Sequence, residues 1–583
     1  MFKQIIRKSI EDAITKLKFD VVDFVVEHPE NEVFGDYSTN VAFILSKTLK
    51  SPPMKIAEDI VKNIKIISPI EKVVIEKPGF INFQLEKLAL IKELEEIVKT
   101  GKKYGSSDFP KGQKWLIEHT SPNPNKAMHL GHLRNNVLGM ALSNIWKFMG
   151  ITVIRDCVDN DRGIAIAKLM WGYLKFAKKD GKEFSDISYW YQHKNEWNTP
   201  EELNIRPDKF VDELYSKGSK DFEEREDSET VVREMVVKWE NEDSTVWELW
   251  KTVLDFAHTG QDLTLKRLGS SWDKVWRESE HYKEGKELVL EGLKKGVFKK
   301  LEDGAILSDL EKYDMPDTIL IKKDGTSLYI TQDLALTKLK KQVFKPDKMF
   351  WVVGPDQSLA LKQLFAICEQ LKIGKIKELT HLSYGYMRIQ GAGKMISKMS
   401  SRLGNVVYID DLIDSAKEEV FKKTSDKDVA EKIALGAIKY SILKVGRTTD
   451  TVFDFKTSLS FEGDSGPYLQ YTYARCKSIL KNAKPGKNLG TLNVINKEEE
   501  KILKHIYKFP EVVEMAGLEY SPNLICTFLF ELAKDYNVFY TKHSVLKAEL
   551  EEQKQFRVFL TTAVSQIITN GLSLLGIESP EKM

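Results

Sequence analysis

The sharpest change of hydrophobic period in the chain falls between residues 115 and 150. Trp115, Leu116 and Ile117 form a short continuous apolar run, the pattern of a buried strand. Ser121-Pro-Asn-Pro124 interrupts it with residues that suit neither a helix nor a ladder. From Gly131 onward, Leu133, Val137, Ala141, Leu142, Ile145 and Phe148 recur at helical spacing, and Gly150 closes the run. Strand, tight loop and helix start in that order predict an anion site, where unpaired N–H groups and the helix dipole meet a phosphate.

Upstream, residues 1–105 alternate helix and strand. A helix is expected over 5–17, a strand over 21–26, a turn at 35–40 opening a helix to 49, and strands at 73–76 and 79–85. This predicts a small N-terminal α/β domain, followed by the linker Gly101-Lys-Lys-Tyr-Gly-Ser-Ser107. Downstream, 151–158 reads as a second strand and Asn160-Asp-Arg-Gly163 as a turn into another helix. Strand, helix and strand imply a doubly wound parallel sheet with ligands at the strands' carboxyl ends. That catalytic unit is assigned to 106–390, with a further strand at 348–354 and a helix at 357–371. Residues 181–240 are charge-rich with little apolar period, which fits an exposed helical insertion, a partly disordered loop being the alternative. A connecting region spans 391–465. From 466 to 583 the pattern is helical throughout, at 468–483, 498–509, 521–540 and 556–575, which predicts an all-α bundle. The expected fold class is therefore multidomain α/β: a Rossmann-like catalytic domain with a helical insertion, a small N-terminal α/β domain and a C-terminal helix bundle.

Charge changes this picture little. The 583 residues carry 88 basic and 86 acidic side chains, a net +2, so a nucleic-acid partner would have to be held by local patches. Cys157, Cys368, Cys476 and Cys526 lack C-x-x-C spacing, which argues against a zinc site or disulfide framework and for a reducing compartment. No run reaches the ~18 apolar residues of a membrane span. The basic start Met1-Phe-Lys-Gln-Ile-Ile-Arg-Lys8 continues into Glu11 and Asp12, so it reads as a domain's first helix and not as a removable segment. A cytoplasmic protein without membrane contact is expected.

Chemistry enters at His129-Leu-Gly-His132. Two neutral imidazoles three residues apart at a helix start can donate to phosphate oxygens, and Gly131 leaves room for a flat base. The competing readings are a metal pair or core histidines. A guanidinium ligand would call for paired carboxylates and an aromatic wall.

This stretch resembles the HIGH motif of class I aminoacyl-tRNA synthetases, and Glu118-His-Thr-Ser-Pro-Asn123 with Lys126 resembles its arginyl-tRNA synthetase form. Lys398-Met-Ser-Ser401-Arg402 is similar to a KMSKS loop lacking its second lysine. The resemblance implies ATP contacts at Pro122, Asn123, His129, Leu130, Gly131, His132, Lys398, Met399 and Ser400. It implies catalytic roles for Lys126, His129, His132 and Lys398, with Lys126 standing in for the absent lysine and Lys394 and Arg402 as spare cations. Tyr329-Ile-Thr-Gln-Asp333 resembles the family's Y-x-T-x-D segment and Trp276-Arg-Glu-Ser279 another carboxylate-bearing one. Arginine would thus meet Glu278, Tyr329 and Asp333 at its guanidinium, and Glu118, Ser121, Asn123, His132 and Gln357 elsewhere. Ala360 departs from the family, which commonly has His there. Transfer RNA contacts are implied at Phe80 and Asn82, in a part resembling the family's D-loop-binding domain, and at Tyr468, Gln470, Tyr471 and Arg475 of an anticodon-binding bundle.

The activity implied is arginine–tRNA ligation: ATP activates arginine to the adenylate, and arginine passes to the terminal ribose of tRNA(Arg). ATP with Mg2+ would act as a substrate complex with no tightly bound cofactor, on a monomer. A class I synthetase of another specificity is the alternative, disfavoured by Glu278 and Asp333. A small-molecule adenylyltransferase would not need the bundle, and an inactive paralogue would be expected to lose His129, His132 or Lys398.

Overall fold

The computed structural model describes residues 2–390, 407–486, 489 and 495–583. The N-terminal domain holds α1 (Phe2–Lys16), β1 (Val26–Glu27), β2 (Tyr37–Thr39), α2 (Val41–Leu49), α3 (Pro53–Asn63), β3 (Ile70–Glu76), β4 (Phe80–Leu85) and α4 (Lys87–Thr100). Its antiparallel sheet runs β1-β2-β4-β3. The expected strand over 21–26 shrinks to its last residue and Glu27. The expected turn at 35–40 is instead largely β2, whose Tyr37 and Thr39 face inward. The Tyr37 hydroxyl donates to Glu511 Oε1 at 2.6 Å, a contact with the C-terminal helices that no local pattern announces.

The catalytic sheet has the order β12-β11-β5-β6-β7 and is parallel throughout. Its strands are β5 (Lys114–Glu118), β6 (Thr152–Asp159), β7 (Lys274–Arg277), β11 (Lys348–Trp351) and β12 (Leu379–His381). The chain leaves β5 through α5 (Leu130–Phe148) toward β6 and β7, then returns to the other side of β5 for β11 and β12. That reversal lies between β5 and β11, and the crevice at their carboxyl ends is where such folds take ligands.

Between β6 and β7 come α6 (Ile164–Phe176), α7 (Ile187–Gln192), α8 (Pro207–Glu224), α9 (Glu226–Glu240) and α10 (Ser244–Leu268). The insertion is helical and has its own core around Trp190, Trp197, Phe210, Val232 and Trp239. Residues 181–240 supply Trp190, Trp197, Phe210, Val211, Leu214, Val232, Met235 and Trp239 to this core, too sparsely spaced for a strong apolar period, and α6 and α10 supply most of the rest. Gly172 of α6 and Gly218 of α8 let the two backbones touch: a Cβ on Gly172 would lie 2.0 Å from the Leu214 carbonyl oxygen. Next come α11 (Glu278–His281), α12 (Glu284–Lys294), the antiparallel ribbon β8 (Lys299–Lys300), β9 (Ile306–Ser308) and β10 (Thr318–Ile321), then α13 (Tyr329–Phe344) and α14 (Ser358–Gln370).

Beyond α14, β13 (Met387–Gln390) pairs in parallel with β14 (Thr451–Asp454), and helices Ile409–Phe421 and Lys427–Leu443 lie between them in the chain. The terminal helices are Gly466–Leu480, Lys497–Ile506, Phe509–Leu518, Asn523–Lys542 and Glu551–Leu574. Pro510 at a helix start marks where the single helix expected over 498–509 gives way to a second one. One continuous core joins the N-terminal domain, one face of α5 and these helices.

Candidate active site

The loop leaving β5 turns through two non-glycine residues in the left-handed region, Thr120 (φ +76°) and Ser121 (φ +37°). Such positions cost on the order of 1–3 kcal/mol each and persist only where the surroundings enforce them. Here Asn135 Oδ1 accepts from the Thr120 N–H at 2.8 Å, and Asn136 Nδ2 donates to Thr120 Oγ1 at 3.1 Å. Both asparagines lie on α5, so the helix shapes the loop that precedes it. Ser121 Oγ in turn accepts from the Val158 N–H of β6 at 3.0 Å.

His129 is the N-cap of α5. Its Nδ1 accepts from the Gly131 N–H at 3.2 Å, and His132 Nδ1 accepts from the His129 N–H, also at 3.2 Å. A ring nitrogen that accepts carries no proton, so each neutral imidazole keeps its hydrogen on Nε2. Burial, reinforced by neighbouring cations including Lys126, lowers both pKa values, His132 to about 3. The rings stand 4.1 Å apart with Nε2–H as their remaining donors. Gly131 between them is exposed, and a Cβ there would come within 3.1 Å of His129 Cε1.

Lys126, half-buried, ends the proline-rich loop. Gln261 of α10 braces that loop, its Nε2 donating to the carbonyls of Asn123 (3.0 Å) and Lys126 (3.2 Å). On the other side, His129 forms a bridge with Tyr408, and the Ile409 N–H donates to the Met128 carbonyl at 3.1 Å. Lys394, Lys398, Met399, Ser400, Ser401 and Arg402 lie outside the described residues.

A cluster of acids fills the crevice beyond β5. Lys340 of α13, 1% exposed, places Nζ 2.6 Å from Glu118 Oε2 and 2.7 Å from Asp156 Oδ2. Trp276 Nε1 donates to the same Asp156 oxygen at 2.9 Å. Burial pushes the Asp156 carboxyl up, against the pull of Lys340. Two turns before Lys340, Asp333 is open to the cleft yet surrounded by protein on its other sides. Desolvation, with the Glu118 and Glu278 charges, pushes it up to about 7 while Lys340 opposes the shift. Glu278 sits at the start of α11 with Oε1 3.4 Å from Arg162 Nη1; burial raises its carboxyl and Arg162 opposes this. The Arg162 guanidinium also pairs with Glu240 and lies 3.9 Å over the Tyr282 ring. Glu118, Glu278 and Asp333 thus converge, and Lys340 neutralises part of their charge.

Other candidates are less engaged. Tyr329 stands 88% exposed at the start of α13, so the expected aromatic wall does not lie against the cluster. Gln357 donates to its neighbour Asp356 at 2.6 Å, and Asn123 Oδ1 accepts from Asn160 Nδ2 at 3.0 Å. Pro122 is buried and Leu130 half-buried at the start of α5.

Two expected RNA contacts are corrected. Asn82 is 3% exposed inside the N-terminal sheet, and Gln470 is fully buried, donating to the carbonyls of Lys432 (3.1 Å) and Glu578 (2.7 Å). The Gln470 amide nitrogen is spent on the fold, and the Asn82 side chain lies inside the sheet away from solvent. Phe80 remains accessible beside Phe43. The Tyr468 hydroxyl accepts from Asn537 Nδ2 at 2.9 Å. The Arg475 guanidinium lies 4.9 Å over Tyr471 and 4.8 Å over Tyr540, both rings partly exposed.

Lys340, Asp156, Arg162 and Gln261 were not singled out by the sequence. Only Lys340 carried a readable signal, seven residues and therefore two turns after Asp333 on one helix face.

Three family descriptions match the chain: "Arginyl tRNA synthetase N terminal domain" over residues 3–85, "tRNA synthetases class I (R), catalytic domain" over 93–455, and "DALR anticodon binding domain" over 469–583. The arginine–tRNA ligase of Treponema denticola is 36% identical, covering 96% of this chain and 94% of the relative. That of Borreliella afzelii is 35% identical over 99% of both. In fold the chain is similar to the arginyl-tRNA synthetases of Thermus thermophilus (TM-score 0.78, 22% identity, all of both chains) and Plasmodium falciparum (TM-score 0.80, 20% identity, 100% of this chain and 99% of that one). With this match along nearly its whole length, and with its imidazole pair and carboxylate cluster at the switch point of a parallel sheet, the chain belongs to the arginyl-tRNA synthetases, the class I arginine–tRNA ligases.

Proposed function

We propose that this chain activates L-arginine with MgATP and transfers it to tRNA(Arg), using the residues assembled above. The supporting observation is the convergence of Asp333, Glu278 and Glu118 at the carboxyl ends of the strands. A guanidinium offers a planar fork of donors, and carboxylates are the partners that satisfy it. Asp333 and Glu278 take the guanidinium; Glu118, kept in place by Lys340, takes the α-amino end, with Ser121, Asn123 and Gln357 near it. The raised carboxyl of Asp333 gives up its proton as the guanidinium arrives.

The arginine carboxylate then attacks the α-phosphate in line, forming the mixed anhydride as the bond to pyrophosphate breaks. No side chain acts as nucleophile; placement and charge neutralisation drive the step. The Nε2–H groups of His129 and His132 donate to phosphate oxygens at the start of α5, where the helix dipole adds to them. Lys126, with Lys398, neutralises the charge that develops on the leaving pyrophosphate. In the second step the terminal ribose hydroxyl of tRNA attacks the carbonyl carbon and AMP leaves with its phosphate oxygen.

MgATP enters as substrate; among the described residues no group of three or more His, Cys, Asp and Glu could hold a metal. Residues 1–105 and 466–583 hold the tRNA, through Phe80 on one domain and Tyr471, Arg475 and Tyr540 on the other. The enzyme works as a monomer in the cytoplasm, and no described helix is long and apolar enough to cross a membrane. ATP–pyrophosphate exchange with each amino acid, with and without tRNA, tests the assignment. Exchange that depends on arginine alone supports it; equal exchange with another amino acid refutes it.

A further inference from the structure

Helix α10 belongs to the insertion, yet several of its side chains reach past it. Trp250 Nε1 donates to the Asp161 carbonyl at 2.6 Å, and His258 Nε2 lies 2.9 Å from Asp159 Oδ2 at the end of β6. Gln261 holds the carbonyls of Asn123 and Lys126. Arg267 pairs with Asp410 (2.6 Å) and Glu431 (3.0 Å) on the helices that follow the connecting region. The first three contacts fall on the loops at the carboxyl ends of β5 and β6.

Gln261 is the contact nearest the chemistry. It is 4% exposed. The loop it holds contains Pro122 and Pro124, which have no N–H to pin it from within. A primary amide has two N–H donors, and here its one nitrogen reaches two carbonyls three residues apart. One of these belongs to Lys126 itself, so the clamp fixes the point from which the lysine side chain departs.

We infer that Gln261 is a positioning residue for adenylate formation, clamping the 123–126 backbone so that the Lys126 ammonium meets the leaving pyrophosphate. This rests on the reading of Lys126 as the pyrophosphate cation. A charge aimed at a transition state loses effect steeply with displacement; a shift of about 1 Å costs on the order of a hundredfold.

Two variants separate the clamp from simple packing. Gln261→Met keeps length and volume but has no donor. Gln261→Asn keeps the amide but is one methylene too short to reach both carbonyls. Each is made in the full chain, alone and combined with Lys126→Ala, and assayed by ATP–pyrophosphate exchange with arginine and tRNA. Rates are normalised to native protein by circular dichroism. Both single variants are expected to lower kcat by about ten- to a hundredfold, with the ATP KM within about threefold. In the Lys126→Ala background the same substitutions are expected to change kcat by less than about threefold, because the group they position is gone. Normal kcat in the single variants, or a loss that multiplies with Lys126→Ala, overturns the role of Gln261 even if Lys126→Ala is itself slow. A Lys126→Ala enzyme with normal kcat overturns the reading of Lys126 and the clamp's purpose together. Should Gln261→Met fail to fold, Gln261→Asn decides by the same comparison.

Discussion

Removing the Lys340 ammonium should leave Asp156 stranded in the interior. Lys340→Met keeps the length of the stem and deletes the charge that lies 2.6 Å from Glu118 and 2.7 Å from Asp156. The two carboxylates then face different fates. Glu118 borders the cleft and can regain water. Asp156 is fully buried, its Oδ1 has no partner, and its Oδ2 keeps only the Trp276 indole N–H. Breaking a buried pair from one side costs about 3–5 kcal/mol. Protonation sets a ceiling, since forcing a proton at pH 7 onto a carboxyl of ordinary pKa costs about 4 kcal/mol. The expected loss is therefore about 3–4 kcal/mol, roughly 10 °C in the transition of the catalytic unit.

The sign of the pH dependence makes this specific. Without Lys340 the folded-state carboxyl of Asp156 rises further above its unfolded value, so the folded state binds more protons and stability falls as pH rises. The Tm deficit of Lys340→Met against the parent should therefore widen from pH 5 to pH 8. Adding Asp156→Asn, which removes the stranded charge at nearly constant shape, should recover at least half of it. Arginine kcat/KM should drop at least tenfold from loss of the Glu118 anchor, with the ATP KM little changed. Thermal unfolding followed by calorimetry at four pH values, with exchange kinetics, measures all of this. A deficit independent of pH, or one that Asp156→Asn does not relieve, would refute Lys340 as the counter-charge of the arginine pocket.

Further outcomes follow from the same geometry. Asp333→Ala should cost about 3 kcal/mol in arginine kcat/KM and leave ATP unaffected, as measured by exchange kinetics. Because the Asp333 carboxyl is pushed up to about 7, it lacks its charge below that pH; arginine kcat/KM should climb about tenfold per pH unit up to about pH 7 and then level, and Asp333→Asn should abolish that inflection. Lys126→Ala should lower kcat by roughly a hundredfold with the ATP KM within a few fold, and adding Ser401→Lys should restore much of it in the same assay. Arg475→Ala or Tyr540→Ala should raise the tRNA KM in charging assays by about tenfold while arginine KM holds, since stacking on such rings contributes about 1–3 kcal/mol per base.

Local grammar carried the proposed nucleotide half of the site into view. A strand, a proline-broken loop, and two histidines flanking a glycine at a helix start are all short-range features, and His129 and His132 cap α5 through contacts two and three residues away. The parallel sheet was legible for the same reason, since each strand and helix writes its own period. The domain contacts were not: Tyr37 finds Glu511 across 474 residues, and nothing in the period near residue 37 encodes a carboxylate so far off. Asn82 and Gln470 misled because an amide in sequence looks the same whether it faces a ligand or, as in both cases here, points into the interior. The proposed arginine pocket falls between these cases. Asp333 and Glu278 were visible as acids in family-like segments, but an acid cluster holds together only if something offsets its charge. That something, Lys340, is 222 residues from Glu118 in sequence, and 2.6 Å from it in space. The pocket we propose for one cation from solution holds another of its own: Lys340 pairs with both Glu118 and Asp156, while Asp333 faces the cleft. On that proposal the specificity of the site depends on a residue that does not touch the substrate.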